Sequence, residues 1–220
     1  MMLVFELIEG FTLSAFMSQQ TDCPLVTGKL SIISGIASAL QYIHSVRQPI
    51  VHGDLKDTHV FVEHWQGRLR SKLGDFGLAR LVCGEVRMSD TLRWMAPEIV
   101  TSCGAVVPAA SADTFSFGRL MSLVLSGQRP CAGLKHQEVM AMTLKSQLPD
   151  LAWPDEPLEV VKLSDFGKVC VQLNPLQRPT MQAATACIAA CAESMPERFS
   201  RALASSSPAN LVSFPKRCMT

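Results

Sequence analysis

Residues 52–56 read His-Gly-Asp-Leu-Lys, and two further short motifs follow in order, Asp-Phe-Gly at 75–77 and Ala-Pro-Glu at 96–98. Residues 75–98 have little hydrophobic periodicity, which predicts a long loop. A loop of that length inside a compact domain is usually functional. Each motif alone is a weak signal, so the information lies in the set and its order.

Two short strands are predicted between the first and second motifs. Residues 60–62 and 70–73 are apolar or alternating segments on either side of a turn at Gln66-Gly67. Upstream of the first motif a helix is predicted, because apolar residues fall at the spacing of one helical face: Leu30, Ile33, Ile36, Ala37, Leu40 and Ile43. The stretch between Gly10 and that helix is weakly patterned.

Residues 115–125 are apolar almost all round a helix, which is typical of a buried helix. Asp113 stands where an N-cap is expected and Gly127 where a C-terminal stop is expected. Two or three further helices are predicted, within 134–145, 158–172 and 180–193. After Glu193 the composition turns to Ser, Pro and Ala, which predicts a loosely held tail.

The composition of the 220 residues, 48% hydrophobic and 18% charged, supplies ample material for a packed core. Twenty basic and 19 acidic side chains give a net charge of +1, so nothing favours a nucleic-acid partner. The eight cysteines form no C-x-x-C pair with zinc spacing. No signal sequence or bilayer-length apolar run is present, so we expect a reduced, soluble, cytoplasmic protein without a membrane span.

The motifs resemble those of the eukaryotic protein kinases: a catalytic loop, a metal-binding loop and the end of an activation segment. Trp94-Met95 before the Ala-Pro-Glu, the sequence Asp-Thr-Phe-Ser-Phe-Gly at 113–118 and Arg178-Pro179 extend the resemblance over residues 2 to 193. It is greatest for serine/threonine kinases of the tyrosine-kinase-like branch. It implies a mainly α, protein-kinase-like C-terminal lobe with short β-hairpins around the catalytic and metal loops.

The resemblance divides the chain into a hinge-strand remnant at 1–10, the lobe itself at 11–195 and a flexible tail at 196–220. Asp54 would accept the proton of the substrate hydroxyl and orient it for in-line attack on the γ-phosphate of ATP. Lys56 would place positive charge near the transferring group, and Thr91 would tether the substrate-binding loop. A Lys at that position goes with Ser/Thr substrates in this family.

The nucleotide and metal contacts follow from the same resemblance. Asp75 would hold Mg²⁺ against the phosphates. Backbone groups of Glu6 and Ile8 would bond the adenine edge of ATP, with Phe61 as the floor beneath it. The alternative for the first residues is a plain buried strand. We expect the carboxylates of Asp54 and Asp75 to converge on one cleft above the buried helix.

Other residues have structural roles under this resemblance. His52 would be a core histidine bonded to backbone, and Asp113 would accept hydrogen bonds from the catalytic-loop backbone. Glu98 and Arg178 would form a buried ion pair. A second Asp-Phe-Gly at 165–167 lies inside a helical pattern and is interpreted as coincidence.

The sequence departs from the family in three ways. No Gly-rich loop or strand Lys precedes the hinge, so we expect weak nucleotide binding, poor phosphotransfer and an exposed apolar surface that a partner protein could cover. His59 stands where the family has a second metal-binding Asn, and imidazole suits Mn²⁺ better than Mg²⁺. Gly53 replaces the Arg that pairs with an activation-segment phosphate, so phosphorylation at a residue such as Ser89 should matter less.

Two hypotheses about function therefore stand. The chain is part of a kinase that phosphorylates Ser or Thr of a protein substrate, or it is a pseudokinase or interaction module that keeps the fold. A generic helical domain with chance motifs is the third reading.

Overall fold

The computed structural model describes residues 3–4, 6–19, 26–75, 91–102, 105–194 and 216–217. Helices dominate these residues, with five short strands among them. In chain order the elements are β1 (Leu3–Val4), β2 (Gly10–Thr12), α1 (Leu13–Gln19), α2 (Val26–Ser45), β3 (Val60–Trp65), β4 (Arg68–Leu73), α3 (Pro97–Thr101), α4 (Ala110–Ser126), α5 (His136–Leu144), α6 (Leu158–Cys170), a 3-10 turn (Pro175–Gln177), α7 (Met181–Glu193) and β5 (Lys216–Arg217).

Helix α2 lies at the centre of the core and packs against β4, α4 and α7. The predicted apolar face is buried, as expected, and the helix begins at Val26, four residues before the predicted start. At Gly35 the helix approaches β4 so closely that a Cβ there would lie 2.3 Å from Ser71 Oγ. That hydroxyl donates to the Ile32 carbonyl at 2.8 Å, which fixes the helix on the strand.

Helix α4 is buried on all sides from Ala112 to Leu125, as the sequence predicts. Gly127 ends it in the left-handed conformation, at φ 76°, and its N–H bonds the Leu123 carbonyl at 2.8 Å. The predicted N-cap role of Asp113 is wrong: the helix begins at Ala110 after an Ala109 cap. Asp113 lies within the first turn of α4, and its carboxylate bonds a distant loop instead of the N–H groups of its own helix.

The predicted hairpin forms and is longer than expected. Strands β3 and β4 pair along their whole length, from Val60 opposite Leu73 to Trp65 opposite Arg68. Gln66 and Gly67 both have positive φ, 50° and 75°, as a tight two-residue hairpin turn requires. Strand β2 adds to the outer edge of β3 and makes an antiparallel sheet of order β2-β3-β4. The sequence did not predict β2 or α1, because α1 buries only two side chains and leaves little periodicity.

Helices α5, α6 and α7 all begin and end within two residues of their predicted bounds. The second Asp-Phe-Gly falls inside α6, as predicted, and its glycine has a packing reason. A Cβ on Gly167 would lie 2.4 Å from the Trp153 ring. The indole therefore rests directly on the helix backbone.

Within the segment expected to be a loose tail, residues 216–217 form β5, which pairs antiparallel with β1 in the register Leu3–Arg217 and Val4–Lys216. This pairing uses backbone groups, which composition does not reveal. The expectation for the tail as a whole stays a prediction. Residues 195–215 lie outside the described ranges. Within those ranges no helix combines the length and the apolar character that crossing a bilayer requires.

Candidate active site

The loop that carries the first motif is held by hydrogen bonds to the Asp113 carboxylate of α4. One carboxylate oxygen accepts the backbone N–H of His52 and the other accepts that of Gly53, each at 2.8 Å. His44, at the end of α2, also bonds this carboxylate at 2.8 Å. Asp113 is almost fully buried, so the three contacts fix the loop on the core. The predicted role of Asp113 in bonding the loop backbone agrees with this geometry.

His52 and Gly53 shape the loop. The His52 ring is buried, accepts the Asp54 N–H on Nδ1 at 3.4 Å and donates from Nε2 to the Gly74 carbonyl at 3.0 Å. It therefore joins the first motif to the residue before the second. Gly53 has φ 75°, a conformation that glycine adopts without strain.

Asp54, Lys56 and Thr91 form one hydrogen-bonded group. Lys56 Nζ donates to Asp54 Oδ2 at 3.2 Å and to Thr91 Oγ1 at 2.9 Å. The other carboxylate oxygen, Asp54 Oδ1, is buried and has no hydrogen-bond partner among the described residues. A buried carboxylate oxygen without a donor is costly to keep, so this atom is available for a hydroxyl.

Thr91 owes its position to the turn that follows it. Trp94 donates its backbone N–H to the Thr91 carbonyl at 2.9 Å, and Ser116 Oγ of α4 donates to the Trp94 carbonyl at 2.8 Å. The Trp94 side chain is buried in the core. The same helix therefore supports both segments of the site.

His59 lies between the two carboxylates that the sequence singles out. Its Nδ1 donates to the Asp54 carbonyl at 2.9 Å and lies 3.5 Å from Asp54 Oδ2. Its Nε2 lies 3.6 Å from Asp75 Oδ2. The structure thus brings Asp54 and Asp75 to opposite nitrogens of one ring.

Burial lowers the pKa of His59, the positive charge of Lys56 lowers it further, and the Asp54 and Asp75 carboxylates oppose both effects. The lowered pKa favours the neutral ring. Because a carbonyl can only accept, the proton is on Nδ1, and the lone pair of Nε2 faces the Asp75 carboxylate.

Of the two residues predicted to contact a metal ion, Asp75 has the ligand type that a hard divalent ion prefers, and His59 does not. Half of the Asp75 side chain is exposed, and its backbone has φ 57°, an uncommon conformation for a residue with a side chain. Mg²⁺ prefers oxygen ligands, which Asp75 offers and the imidazole does not. No group of three or more His, Cys, Asp or Glu side chains within the described ranges is placed to hold a metal. Phe76 and Gly77 lie outside those ranges.

Two of the three predicted nucleotide contacts come together around Lys72. The Glu6 carboxylate pairs with Lys72 Nζ at 2.6 Å, and Phe61 is the cross-strand neighbour of Lys72. Phe61 also packs on Gly74, where a Cβ would lie 2.7 Å from its ring. The structure thus places Phe61 beside the residue before Asp75. Ile8 is half-buried, and Phe5 lies outside the described residues.

The predicted ion pair between Glu98 and Arg178 is present. Arg178 donates from Nη1 and Nη2 to the two carboxylate oxygens at 2.6 and 2.8 Å. Its guanidinium also donates to the carbonyls of Ser111, Gln172 and Leu173. This pair ties α3, which ends the activation segment, to the turn before α7.

Sequence reasoning missed a second anchor of the catalytic loop. Asp57 is almost fully buried and pairs with Arg129 Nη2 at 2.7 Å, while its carbonyl accepts the Ser14 N–H at 3.2 Å. Asp57 stands inside the motif region, but Arg129 lies 72 residues away, and no pattern connects the two positions.

A comparison with protein-family models matches residues 1–187 to the protein kinase domain. Among known proteins, the chain is 31% identical over 175 residues to an Arabidopsis thaliana protein named Probable L-type lectin-domain containing receptor kinase II.1, covering 70% of this chain and 24% of that protein. It is 28% identical over 156 residues to a probable serine/threonine-protein kinase of Dictyostelium discoideum, covering 69% of this chain and 14% of that protein.

A third relative is the L-type lectin-domain containing receptor kinase S.1 of Arabidopsis thaliana, 28% identical over 204 residues, with 83% of this chain and 30% of that protein covered. The chain belongs to the protein kinase family, and its fold is the mainly α fold that the sequence predicts. It spans less than a third of the length of these relatives.

Proposed function

We propose that this chain carries the catalytic and metal loops of a protein kinase that transfers the γ-phosphate of ATP to Ser or Thr of a protein substrate. One observation above all supports the proposal: Asp54 has one carboxylate oxygen held by Lys56 and the other buried without a partner. A general base needs that arrangement, one oxygen to fix the group and one to receive a proton.

In the proposed reaction the substrate hydroxyl donates a hydrogen bond to Asp54 Oδ1. As the hydroxyl oxygen bonds to the γ-phosphorus, the bond from that phosphorus to the bridging oxygen breaks, ADP leaves, and the proton passes to Asp54. Lys56 lies 3.2 Å from Asp54 Oδ2 and supplies positive charge beside the transferring group.

Asp75 would hold Mg²⁺ with its half-exposed carboxylate, and the ion would neutralise phosphate charge when bound. The adenine would lie over Phe61, with backbone groups of Glu6 and Ile8 at its edge. The ion pair of Glu6 with Lys72 supports this location, because it fixes the predicted hinge beside the strand that leads to Asp75.

Ser/Thr substrates are favoured by the bond from Lys56 to Thr91, which joins the catalytic loop to the segment expected to hold the substrate. The Dictyostelium relative is named a probable serine/threonine-protein kinase, which agrees with this specificity. Tyrosine, which is longer, would place its hydroxyl farther from the backbone.

The test is phosphate transfer from radiolabelled ATP to peptide libraries that contain only Ser, only Thr or only Tyr as acceptor, with Mg²⁺ or Mn²⁺. We expect slow transfer to Ser and Thr peptides that is lost in Asp54→Asn. Asp165→Asn, an exposed carboxylate on α6, is the matched control and should transfer as the unaltered chain does. Transfer that persists in Asp54→Asn, or that prefers Tyr, contradicts the proposal.

A partner-binding module without catalysis is the second candidate. His59 at the second metal position supports it, and so do Leu7 and Phe11, which leave 85% and 53% of their surface exposed near the predicted hinge. If a folded chain transfers no phosphate above the level of Asp54→Asn with either metal ion, this candidate replaces the first.

A further inference from the structure

A cavity of about 450 Å³ lies far from the catalytic loop, between α4, the segment 146–153 and the end of α6. Apolar side chains form much of its wall, among them Phe115, Leu148, Trp153 and Val171. Arg119 of α4 is part of the same wall. Cavities of 300–1,000 Å³ with apolar walls and a few polar groups are typical of small-molecule sites. We call this space the Arg119 cavity.

Arg119 is a buried cation without a carboxylate partner among the described residues. It is 3% exposed, and none of the described carboxylates pairs with it. Within the described residues Arg119 makes two hydrogen bonds, and both come from Nη1. One goes to the Arg93 carbonyl, and the other goes to Cys131 Sγ at 3.7 Å. Its Nε is buried without a partner. Neither Nε nor Nη2 therefore has a hydrogen-bond partner among the described residues.

Arg178 provides an internal comparison. Both guanidiniums lie over the Phe115 ring, Arg119 at 5.0 Å and Arg178 at 4.9 Å from its centroid. Arg178 has the Glu98 carboxylate and three carbonyls around it. Arg119 has no carboxylate partner among the described residues, although an unpaired buried charge is strongly destabilising. Burial accordingly lowers the pKa of Arg119, and nearby Arg93 lowers it further.

The residues on the wall of the Arg119 cavity indicate the charge and shape of a ligand that it could bind. Lys168 is on the cavity wall, but it is exposed and already pairs with Asp165 at 2.8 Å. Asp150 is also on the wall, where it is exposed, and it would repel any anion, a dianion more strongly than a monocarboxylate. One available guanidinium edge matches one carboxylate, which can accept two parallel N–H bonds. The apolar wall matches an apolar body on the same molecule.

We propose that the Arg119 cavity binds a small carboxylic acid with an aromatic or aliphatic body, its carboxylate on Arg119 and its body against Phe115 and Trp153. The proposal is independent of phosphotransfer, since none of these residues belongs to the catalytic or metal loops.

The test uses 2-naphthoate as the probe and 2-naphthamide as its uncharged match. Binding is measured by NMR at the Trp153 indole N–H, assigned with Trp153→Phe. We expect the acid to bind at least about tenfold more tightly than the amide, because only the acid pairs with Arg119. Equal binding of the two probes, or no shift with millimolar acid, overturns the proposal.

Variants give a second readout. Arg119→Met should abolish the preference for the acid, and Lys168→Met, which alters the other cation of the wall, should preserve it. Without a probe, Arg119→Met should raise the melting temperature, since it removes an uncompensated charge. A fall like that of Arg178→Met would mean that Arg119 already has a partner within the chain, and the proposal would fail.

Discussion

The Nε2 atom of His59 lies 3.6 Å from the Asp75 carboxylate, while Nδ1 of the same ring bonds the Asp54 carbonyl at 2.9 Å. The proton on Nδ1 is fixed by that carbonyl, so a lone pair faces the residue proposed to hold the metal ion. An imidazole nitrogen stands on the side of Asp75 where an oxygen ligand would suit Mg²⁺, which prefers oxygen.

Changing His59 to Asn is therefore expected to raise Mg²⁺-supported phosphotransfer, because the amide oxygen is a ligand that Mg²⁺ accepts. The ratio of the Mn²⁺-supported to the Mg²⁺-supported rate should fall by about tenfold. That is the lower end of the change in metal affinity or activity that mutations around a metal site typically cause. The measurement is transfer to a Ser/Thr peptide with each ion. His59→Ala, which supplies no oxygen, should show no such gain. An unchanged ratio in His59→Asn would remove the metal argument.

The stability of the fold should depend on the protonation of His59. Its pKa is lowered in the folded chain from the ordinary value of 6.5, so the unfolded chain takes up a proton first as the pH falls. Stability contributed by the neutral ring is present above pH 6.5 and is lost as the pH drops toward the folded-state pKa. Urea unfolding in EDTA at pH 7.5 and 5.5 measures this.

The unaltered chain should lose more stability between those two pH values than His59→Asn does, because the carboxylates are common to both. An equal loss would show that His59 does not titrate differently in the two states. A smaller loss in the unaltered chain would mean that attraction to Asp75 outweighs burial.

Replacing Asp113 by Asn should loosen the catalytic loop. The amide has one acceptor oxygen where the carboxylate has two, so the N–H of His52 or Gly53 loses its partner in a buried site. An unsatisfied buried donor costs about 1–3 kcal/mol of unfolding free energy, and phosphotransfer should fall with it. Asp165→Asn on α6, half or more exposed, is the matched control and should change stability by no more than about 0.5 kcal/mol.

Arg178→Met should destabilise the chain by about 3–5 kcal/mol, since it leaves the Glu98 carboxylate and three carbonyls without their donor. Chemical denaturation measures the loss. Lys168→Met breaks an exposed pair and should cost less than about 1 kcal/mol. If the two variants lose similar stability, the Glu98–Arg178 pair does not hold the activation segment to the core.

Part of this fold was predictable because its signals are local. The buried face of α2, the all-round apolar α4 and the Gly127 stop each depend on residues within one element. The catalytic geometry was predictable for another reason, since the motifs carry it in fixed order. Lys56 donates a hydrogen bond to Thr91, and Asp113 accepts one from the loop backbone. The roles of Lys56 and Thr91 in phosphotransfer stay predictions.

What the sequence could not supply depends on distant partners. Asp113 was expected to cap its own helix, but its carboxylate serves a loop about 60 residues earlier. The pairing of β1 with β5 uses backbone groups alone, and the link from Asp57 to Arg129 follows no spacing rule. Nothing in the sequence singles out Arg119, because only its burial without a carboxylate partner among the described residues distinguishes it.

The central claim is that Asp54 and Asp75 serve one phosphoryl-transfer site. The most direct test is a crystal structure of the chain with Mn²⁺ and a non-hydrolysable ATP analogue at millimolar concentration, with the ion located by its anomalous signal. We predict a peak within about 2.5 Å of an Asp75 carboxylate oxygen, with the γ-phosphate between it and Asp54 Oδ1. An ion bound elsewhere, or phosphates directed away from Asp54, would contradict the account.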